Sequence, residues 1–348
     1  MSGGVDSSVA ACVLMEEGYE VLGSHMRLVH AEGVDHGCCG PAAEADARSV
    51  AERAGFPFEV ADLQEVFESS VLADYLGEHE VGRTPNPCAR CNADIKFGAF
   101  LDRARLLGLD FVATGHYVRT RRTPDGRWHL YRGADGSKDQ SYMLHMLGQE
   151  QLSRALFPVG GQPKAATREL ARRFGLPVAS KPDSQEVCFV PGADHAAFLE
   201  RRAPHLVRRG EVVDPEGRVL AHHDGTFRYT VGQRKGLGVS TGERAYVVNV
   251  DAAANRVVVG AAALLSRRGL EGDRVSWVGG ILPASGPFEA EVQIRYRGPA
   301  VPAVVESISG CVRVEFRTPQ RAVAPGQSAA FFRGDEVLGG ARIVRALN

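Results

Sequence analysis

The sequence has no apolar run of the roughly 18 residues that a membrane-spanning helix needs. It also lacks a secretory leader pattern, because its first residues are small, polar and acidic rather than basic and then apolar. We therefore expect no membrane partner and, by default, a cytoplasmic location.

An excess of charge of either sign is absent as well. Lys and Arg number 41 against 42 Asp and Glu, which gives a net charge of -1 at pH 7. This balance argues against a protein that coats nucleic acid indiscriminately, although local basic patches can still bind a specific one. Two stretches carry cations without an acid and fit either such a contact or an ordinary solvated face: Arg201, Arg202, Arg208 and Arg209, and Arg228, Arg234 and Lys235.

The seven cysteines lack the spacing of a disulfide framework or of a structural metal site. An odd number in a chain without a leader argues against structural disulfides and favours metal binding, redox chemistry or catalysis. Cys88 and Cys91 form one Cys-x-x-Cys pair, but structural zinc usually needs a second pair, and the adjacent Cys38 and Cys39 chelate poorly. We predict no metal site formed by a protein cluster, with zinc and a simple dithiol pair as the alternatives.

The order of the predicted elements indicates an α/β protein with β-rich segments in its second half. Helical and strand patterns alternate at first, as in a strand at 20–26 and a helix at 42–54, which favours a parallel sheet covered by helices. Short β-branched runs separated by Gly, Asp and Pro follow, as is typical of a small β-barrel. We predict a catalytic α/β domain at 1–200, a central mainly-β domain at 201–269 and a C-terminal β-barrel at 270–348.

A loop that binds phosphate is predicted at Ser2-Gly3-Gly4-Val5-Asp6-Ser7-Ser8. The glycines let the backbone turn tightly and approach an anion, the serine hydroxyls donate hydrogen bonds, and the following helix points its N-terminus at the anion. The Gly-Lys-Ser/Thr ending of the Walker motif is absent. The pattern resembles the signature of the PP-loop ATP pyrophosphatases, which implies cleavage of ATP to AMP and pyrophosphate while a substrate is adenylated.

Such a loop should follow a buried strand, yet here it starts at residue 2. We therefore expect the N-terminal sheet to lack its first, central strand, and Met1 to be an internal methionine of the natural protein. The plain alternative for the loop is a glycine-rich turn that only caps a helix.

A reactive thiol is predicted at Cys91. Prolines stiffen the segment before it, and a helix is predicted to start near Asn92. A thiol at a helix N-terminus, close to Arg90 and Lys96, should have a lowered pKa and be a good nucleophile. Cys188, taken alone, fits a small buried residue equally well.

Seven motifs occur in an order that is typical of one enzyme family. They are Ser-Gly-Gly-Val-Asp-Ser-Ser at 2–8, Thr-Pro-Asn-Pro-x-x-x-Cys-Asn-x-x-Ile-Lys-Phe at 84–97, Ala-Thr-Gly-His-Tyr at 113–117, Lys-Asp-Gln-Ser-Tyr at 138–142, Asp-Ser-x-x-x-Cys-Phe at 183–189, Thr-Val-Gly-Gln-Arg-Lys-Gly-Leu-Gly at 230–238 and Pro-Gly-Gln at 325–327. Over its whole length the chain resembles the tRNA-specific 2-thiouridylases of bacterial type, which are PP-loop enzymes.

The resemblance implies roles for individual residues. It places the nucleophile on Cys91, the persulfide on Cys188, and a redox disulfide between the two during turnover. The positions that it assigns to ATP are Met1, Ser2, Gly3, Gly4, Val5, Asp6, Ser7, Met26 and Gly115. The positions that it assigns to the target base or to tRNA are Asn86, Pro87, Cys88, His116, Lys138, Asp139, Gln140, Arg295, Tyr296 and Gln327.

Residue 88 departs from the family pattern. Many relatives carry Asp where this chain has Cys88, and that Asp is a candidate acid/base group. A thiol accepts a proton only if its pKa is lowered, so an acid/base role at residue 88 is an open question. Cys88 also competes with Cys91 for assignment as the nucleophile.

The reaction implied by the resemblance is that of a tRNA-uridine 2-sulfurtransferase. ATP, with Mg²⁺, adenylates the C2 oxygen of a uridine, because that oxygen is otherwise a poor leaving group. A sulfur-carrier protein or a cysteine desulfurase loads Cys188 with persulfide sulfur. The terminal sulfur attacks C2, or Cys91 attacks the persulfide and releases sulfide, and either route leaves a disulfide to be reduced. The family implies the wobble uridine of Lys, Glu and Gln tRNAs.

Two other functions fit part of the sequence. Another PP-loop ligase, acting on a small molecule, would share the ATP loop but has no use for paired cysteines or basic β-rich domains. An RNA-binding protein regulated by ATP would share the basic surfaces. Pyrophosphate release that depends on tRNA separates these functions from thiolation.

Overall fold

The structure is a computed structural model that describes residues 1–29, 40–183, 187–190, 192, 194–239 and 244–348. Cys38 and Cys39, considered above as poor chelators, lie outside these residues. The α-helices are α1 (Val5–Glu16), α2 (Pro41–Ala54), α3 (Gln64–Phe67), α4 (Ala73–Glu80), α5 (Pro87–Arg90), α6 (Phe100–Leu106), α7 (Gln149–Ser153), α8 (Lys164–Arg173) and α9 (His195–Arg202). Two π-helical segments, Glu68–Leu72 and Cys91–Ala99, join α3 to α4 and α5 to α6.

The strands fall into an N-terminal group, a middle group and a C-terminal group. The first comprises β1 (Gly23–Arg27), β2 (Phe58–Asp62), β3 (Val112–Ala113), β4 (Val118–Arg122), β5 (Trp128–Arg132) and β6 (Ala155–Leu156). The second comprises β7 (Gly210–Val213), β8 (Val219–His223), β9 (Tyr246–Asp251) and β10 (Arg256–Gly260). The third comprises β11 (Ser266–Trp277), β12 (Phe288–Gln293), β13 (Val301–Ile308), β14 (Cys311–Arg321), β15 (Ser328–Arg333) and β16 (Glu336–Leu347).

The N-terminal unit contains parallel strands packed against helices, as the alternating pattern predicts. In the described residues, β1 pairs with β2 and β3 with β6, both in parallel, as two separate sheets. A cavity of about 490 Å³ is lined by residues of both sheets, including Ser24 of β1 and Val112 of β3. The expectation of a missing central strand stays a prediction.

One helix start differs from the prediction. The helix expected near Asn92 begins at Pro87, because Pro87 occupies its first position and the Asn86 side chain accepts a hydrogen bond from the Ala89 amide at 3.3 Å. Cys88, rather than Cys91, therefore lies in the first helical turn. The prediction that Cys91 lies at a helix N-terminus is wrong. The role proposed for Cys91 rests on the family motif and does not depend on that position.

The middle group forms a four-stranded sheet in the order β8-β7-β10-β9. Its β7 and β10 run parallel, while the other neighbours are antiparallel. Val212, Val247 and Val257 are buried between this sheet and the loop that bears Leu237. The short β-branched runs of the sequence thus form strands because their alternate side chains fill one small core.

The C-terminal group closes into a barrel. Six antiparallel strands follow the order β11-β14-β13-β12-β15-β16, and β11 pairs with β16 to complete the ring. The N-terminal hairpin β4–β5 continues the same sheet, because Leu130 and Tyr131 of β5 pair with Val337 and Glu336 of β16. The predicted α/β domain, central β domain and C-terminal barrel are confirmed as a fold class, but this shared sheet is a new feature.

Candidate active site

The phosphate loop is held in shape by its own side chains. The Ser2 and Ser7 hydroxyl oxygens lie 3.1 Å apart, and the Ser8 hydroxyl donates to the Gly4 carbonyl oxygen at 2.8 Å. Gly3 has a φ of +62°, and a Cβ there would collide with the carbonyl oxygen of Ala43. The loop therefore requires glycine at position 3 and presents its amides at the start of α1.

Gly115 packs directly on this loop. A Cβ at this position would lie 2.6 Å from the backbone of Asp6 and Ser7, closer than atoms approach. The motif that carries Gly115 and His116 is therefore positioned against the phosphate loop by close backbone packing. This geometry is compatible with the ATP contacts predicted for Gly115, which remain a prediction.

A buried ion-pair network supports Asp6. Its carboxylate accepts hydrogen bonds from Lys164 Nζ at 2.6 and 2.7 Å and from the Tyr117 hydroxyl at 2.8 Å. Burial raises the pKa of Tyr117, so this side chain is a neutral donor. Asp6 still exposes 31% of its side chain, which leaves one face open to a ligand.

Asp183, the first residue of the Cys188 motif, is surrounded by cations. Its carboxylate lies 2.9 Å from the nearest nitrogens of Lys138, Lys164 and Arg168. Partial burial acts to raise its pKa, but the hydrogen bonds from Lys164 and Lys138 outweigh this and lower the pKa to about 2. Asp183 is thus anchored to α8 by its ion pairs with Lys164 and Arg168.

The two predicted working thiols share one apolar cluster. Cys91 is buried at 7% exposure beside aromatic residues that include Phe67 and Phe189. Cys188 is half-buried and packs against this same cluster, as does Met26 at the end of β1. Both cysteines are thiols in this structure. The fold therefore places two residues that are far apart in sequence at the same apolar cluster.

The segment before Cys88 and Cys91 is fastened to the C-terminal barrel. The Asn86 side-chain amide donates to Ser328 Oγ at 3.2 Å, and the Thr84 hydroxyl donates to Thr230 Oγ1 of the middle domain at 3.0 Å. The Gln327 side-chain amide donates to the carbonyl oxygens of Thr84 at 2.8 Å and Pro85 at 3.1 Å. Gln327, predicted to contact tRNA, has this internal role as well.

Three other predicted tRNA positions also have internal partners. The Asp139 carboxylate accepts hydrogen bonds from Arg132 and from Gly133 and Ser141, which fixes a turn. Gln140 accepts from the Tyr117 amide at 3.0 Å. Lys138 is half-buried and pairs with Asp183. These contacts organise the site, and direct contact of any of the three with tRNA remains a prediction.

His116 is a buried neutral imidazole. Burial and, secondarily, the charge of Lys96 hold its pKa well below the usual value. Its Nδ1 lies 2.8 Å from the Thr114 hydroxyl oxygen, and its ring lies near those of Phe97 and Phe157. Any contact between His116 and tRNA, which remains a prediction, would therefore be made by an uncharged imidazole that lies below the surface.

Arg295 and Tyr296 lie in the turn after β12. The exposed Tyr296 ring lies 6.3 Å from that of Tyr142, whose hydroxyl donates to the Ser328 carbonyl oxygen. Through the buried Tyr142, the turn that bears Tyr296 is thus linked to Ser328, which also accepts a hydrogen bond from Asn86.

The sequence assigns no role to Lys164 or Tyr117, although Tyr117 is the last residue of the motif at 113–117. Both lie more than a hundred positions from Asp6, and nothing in their local sequence signals the contact. Within the described residues, no group of three or more His, Cys, Asp or Glu side chains could hold a metal ion. No helix in the same part of the chain is long and apolar enough to cross a membrane.

Three family models match the chain in order. They are the tRNA methyl transferase HUP domain at 1–192, the tRNA methyl transferase PRC-barrel domain at 196–261 and the Aminomethyltransferase beta-barrel domain at 267–343. Together with the phosphate loop, these matches define a class of ATP-using proteins built from a HUP domain and two β-rich domains.

Proteins of high similarity narrow this class. The tRNA-specific 2-thiouridylase MnmA of Geobacter metallireducens is 49% identical over 358 residues, covering 100% of this chain and 96% of the relative. The same enzyme of Acidothermus cellulolyticus is 49% identical, covering 99% and 96%, and that of Heliobacterium modesticaldum is 47% identical, covering 100% and 92%. The chain belongs to the tRNA-specific 2-thiouridylase family.

Proposed function

We propose that the chain is a tRNA-uridine 2-sulfurtransferase that thiolates the wobble uridine of Lys, Glu and Gln tRNAs, with Cys91 and Cys188 as its working thiols. Family membership supports thiolation of uridine in tRNA in general. The observation that carries the assignment of the thiols is the packing of Cys188 against the apolar cluster that contains Cys91. Because tRNA is the substrate, we place the enzyme in the cytoplasm.

The first half-reaction activates the uridine. The ATP phosphates would lie over the loop of Met1, Ser2, Gly3, Gly4, Val5, Asp6 and Ser7, with Met26 and Gly115 nearby. The C2 oxygen attacks the α-phosphorus and pyrophosphate leaves, which turns that oxygen into part of a good leaving group. Mg²⁺, which would neutralise phosphate charge, would be held by the open face of Asp6 and by the phosphates themselves.

The second half-reaction moves the sulfur. The terminal sulfur of a Cys188 persulfide bonds to C2 and AMP departs; the Cys91 thiolate then attacks Sγ of Cys188, breaking the persulfide bond. Alternatively, Cys91 attacks first and the released sulfide displaces AMP. In both routes the sulfane sulfur gains two electrons and the two thiols lose them as a disulfide. A cellular thiol reductant restores the pair, and a sulfur-carrier protein or cysteine desulfurase reloads Cys188.

The site as a whole would admit a flipped base. A uridine must leave its stack to reach the segment of Asn86, Pro87 and Cys88. The turn with Arg295 and Tyr296 and the basic surface of the middle domain would hold the anticodon arm by shape and by its phosphates. The burial of Cys91 shields the sulfur of its own thiol from water and from stray oxidants.

The decisive experiment is nucleoside mass spectrometry. Unmodified tRNA is incubated with the enzyme, ATP, Mg²⁺ and a protein persulfide source, then digested. We expect 2-thiouridine only when both ATP and persulfide are present. Pyrophosphate release without tRNA, and no 2-thiouridine with it, would instead indicate a small-molecule ligase.

A matched pair of variants makes the result specific. Cys311 is an exposed thiol at the start of β14 in the barrel. Cys311→Ser should thiolate tRNA like the wild type, whereas Cys188→Ser should not. Equal activity of the two variants would refute the proposed sulfur path.

A further inference from the structure

One buried lysine joins two parts of the site that are distant in sequence. The Nζ atom of Lys164 lies 2.6 and 2.7 Å from the carboxylate oxygens of Asp6, and 2.9 Å from Oδ1 of Asp183. Lys164 is the first residue of α8 and is 8% exposed. Its backbone amide is held by Asp135 at 3.0 Å, so the side chain starts from a fixed point.

The two carboxylates belong to the two halves of the reaction. Asp6 is part of the phosphate loop, and Asp183 lies on the segment that leads to Cys188. Two carboxylates that share one buried ammonium are coupled, because each interacts with the same charge in a partly desolvated place. Whatever binds at Asp6 therefore changes how tightly the ammonium holds Asp183.

We infer that Lys164 is a positioning residue that couples the binding of nucleotide at the phosphate loop to the placement of Cys188. This inference rests on the proposed function, because it takes Cys188 as the sulfur carrier. Phosphates and a divalent cation arriving at Asp6 compete with its contact to Lys164. The ammonium then moves towards Asp183 or towards the phosphates, and the position of Cys188, which follows Asp183 in the same motif, changes with it.

The surroundings of Asp183 favour transmission of this change. Lys138 and Arg168 also bind its carboxylate, and Arg168 donates to the carbonyl oxygens of Ala179 and Lys181 as well. Lys181 itself donates to the Gly3 carbonyl oxygen at 3.0 Å and so returns to the phosphate loop. The chain from 179 to 183 is therefore tied at several points to elements that contact the phosphate loop.

The test measures Cys188 alone and needs no tRNA. The rate of Cys188 alkylation by iodoacetamide is followed by peptide mass spectrometry, with and without saturating α,β-methylene-ATP and Mg²⁺. In the wild type we expect the nucleotide to change this rate by about fivefold or more, the lower end of ordinary coupling between sites. Lys164→Met should remove most of this response. Lys164→Arg should restore part of it, since it keeps the charge but not the compact ammonium.

Lys138→Met is the matched control. It removes one lysine charge from the same Asp183 carboxylate. Within the described residues, the side chains that bind the Asp6 carboxylate are Lys164 and Tyr117, so the response to nucleotide should persist in Lys138→Met. A full response in Lys164→Met, or no response in the wild type, overturns the inference. If Lys164→Met fails to bind nucleotide, Asp183→Ala decides, because it leaves the Asp6–Lys164 pair intact. A response that survives in Asp183→Ala also overturns the inference. Absence of 2-thiouridine in the thiolation assay would refute the function without altering these rates.

Discussion

The side-chain amide of Gln327, on the loop before β15, donates a hydrogen bond to the carbonyl oxygen of Thr84 at 2.8 Å. The contact is reinforced from the same loop, because the Thr84 amide donates to the Pro325 carbonyl oxygen at 2.9 Å and Gly326 packs on the Thr84 backbone. The segment that ends in Cys91 is thus held by backbone contacts to a domain more than two hundred residues away.

Gln327→Glu should disable this contact. A carboxylate cannot donate to the two carbonyl oxygens and is repelled by them. We expect the single-turnover thiolation rate to fall by about tenfold or more, because displacement of a reacting group by about 1 Å can cost about 100-fold. Gln320→Glu, at a half-buried position of β14 where the side-chain amide donates to the Thr318 carbonyl oxygen of the same strand, is the matched control and should react normally. A larger loss of tRNA affinity than of rate would favour direct tRNA contact by Gln327 over positioning.

The three thiols near the site should differ in their response to serine. Cys91→Ser and Cys188→Ser should each abolish 2-thiouridine formation, because each removes a sulfur that the reaction oxidises. Cys88→Ser should retain appreciable activity, since a hydroxyl fills the same space off the sulfur path. After one turnover without reductant, peptide mapping should find Cys91 linked to Cys188. A Cys88–Cys91 link, with Cys188→Ser still active, would show that the wrong pair is assigned.

Asp6→Ala should abolish tRNA-dependent pyrophosphate release. The carboxylate serves the triphosphate and its metal, so tRNA binding should stay largely intact. Ser7→Ala should act in the same direction, because it also removes the hydroxyl that contacts Ser2. Pyrophosphate release and tRNA retention on filters measure the two effects separately. Normal turnover in Asp6→Ala would contradict the assignment of the loop to ATP.

Arg295→Ala should weaken tRNA binding and flatten its dependence on salt. Arg295 is exposed and donates to the carbonyl oxygen of Arg321, whose guanidinium stacks on the Tyr246 ring at 4.4 Å. The pKa of Tyr246 is lowered by the hydrogen bond and charge of Arg321 and, to a smaller extent, by the charge of Arg234. These side chains form a cationic cluster that spans the middle domain and the barrel. Losing one phosphate contact should reduce the salt slope by about 1.

Arg313→Ala provides the comparison for Arg295. Arg313 is exposed on the same barrel, where it pairs with Glu271 at 3.0 Å. It should leave both the tRNA dissociation constant and its salt slope unchanged. Identical slopes for the wild type and Arg295→Ala would remove the turn after β12 from the tRNA surface.

The stability of the protein should depend on pH through His145. Its ring is buried, neither ring nitrogen has a hydrogen-bond partner among the described residues, and burial lowers its pKa to about 4. The unfolded chain binds a proton near pH 6.5, so unfolding free energy falls as pH drops below that value and levels off below about 4. Between pH 7 and 5, the wild type should lose about 2 kcal/mol more than His145→Leu. Urea unfolding at both values tests this, with His222→Leu, at an exposed site on β8, as the control that should behave like the wild type.

The sequence predicts the parts of the fold that depend on local pattern. The helix predicted at 42–54, observed as α2, and the short strands of the second half follow from periodicity and from glycine and proline positions. The sequence pattern places the start of α5 too late, because the hydrogen bond by which Asn86 caps the helix is visible only in the structure. A cap is decided by the geometry of the side chain as well as by its identity.

The contacts between distant segments could not be predicted in this way. Lys164 reads as an ordinary first residue of a helix, and only the fold shows that its ammonium reaches Asp6 and Asp183. The anchoring of Thr84 by Gln327 is equally hard to predict from the sequence, since the acceptor is a backbone carbonyl oxygen that any residue would supply. Motif order points to the site, while tertiary structure decides which side chains support it.

Because β16 pairs with β5 of the hairpin β4–β5, the C-terminal barrel also stabilises the catalytic domain. Leu130 and Val118 of the hairpin share one apolar cluster with Phe332 and Val337 of the barrel. Deleting the barrel would therefore strip a covering from that cluster and leave β5 with an unpaired edge, which is a template for aggregation. The catalytic domain and the barrel should therefore unfold together in a single cooperative transition. Replacement of the barrel by an unrelated domain would also require a new hairpin, because β5 extends the barrel's sheet.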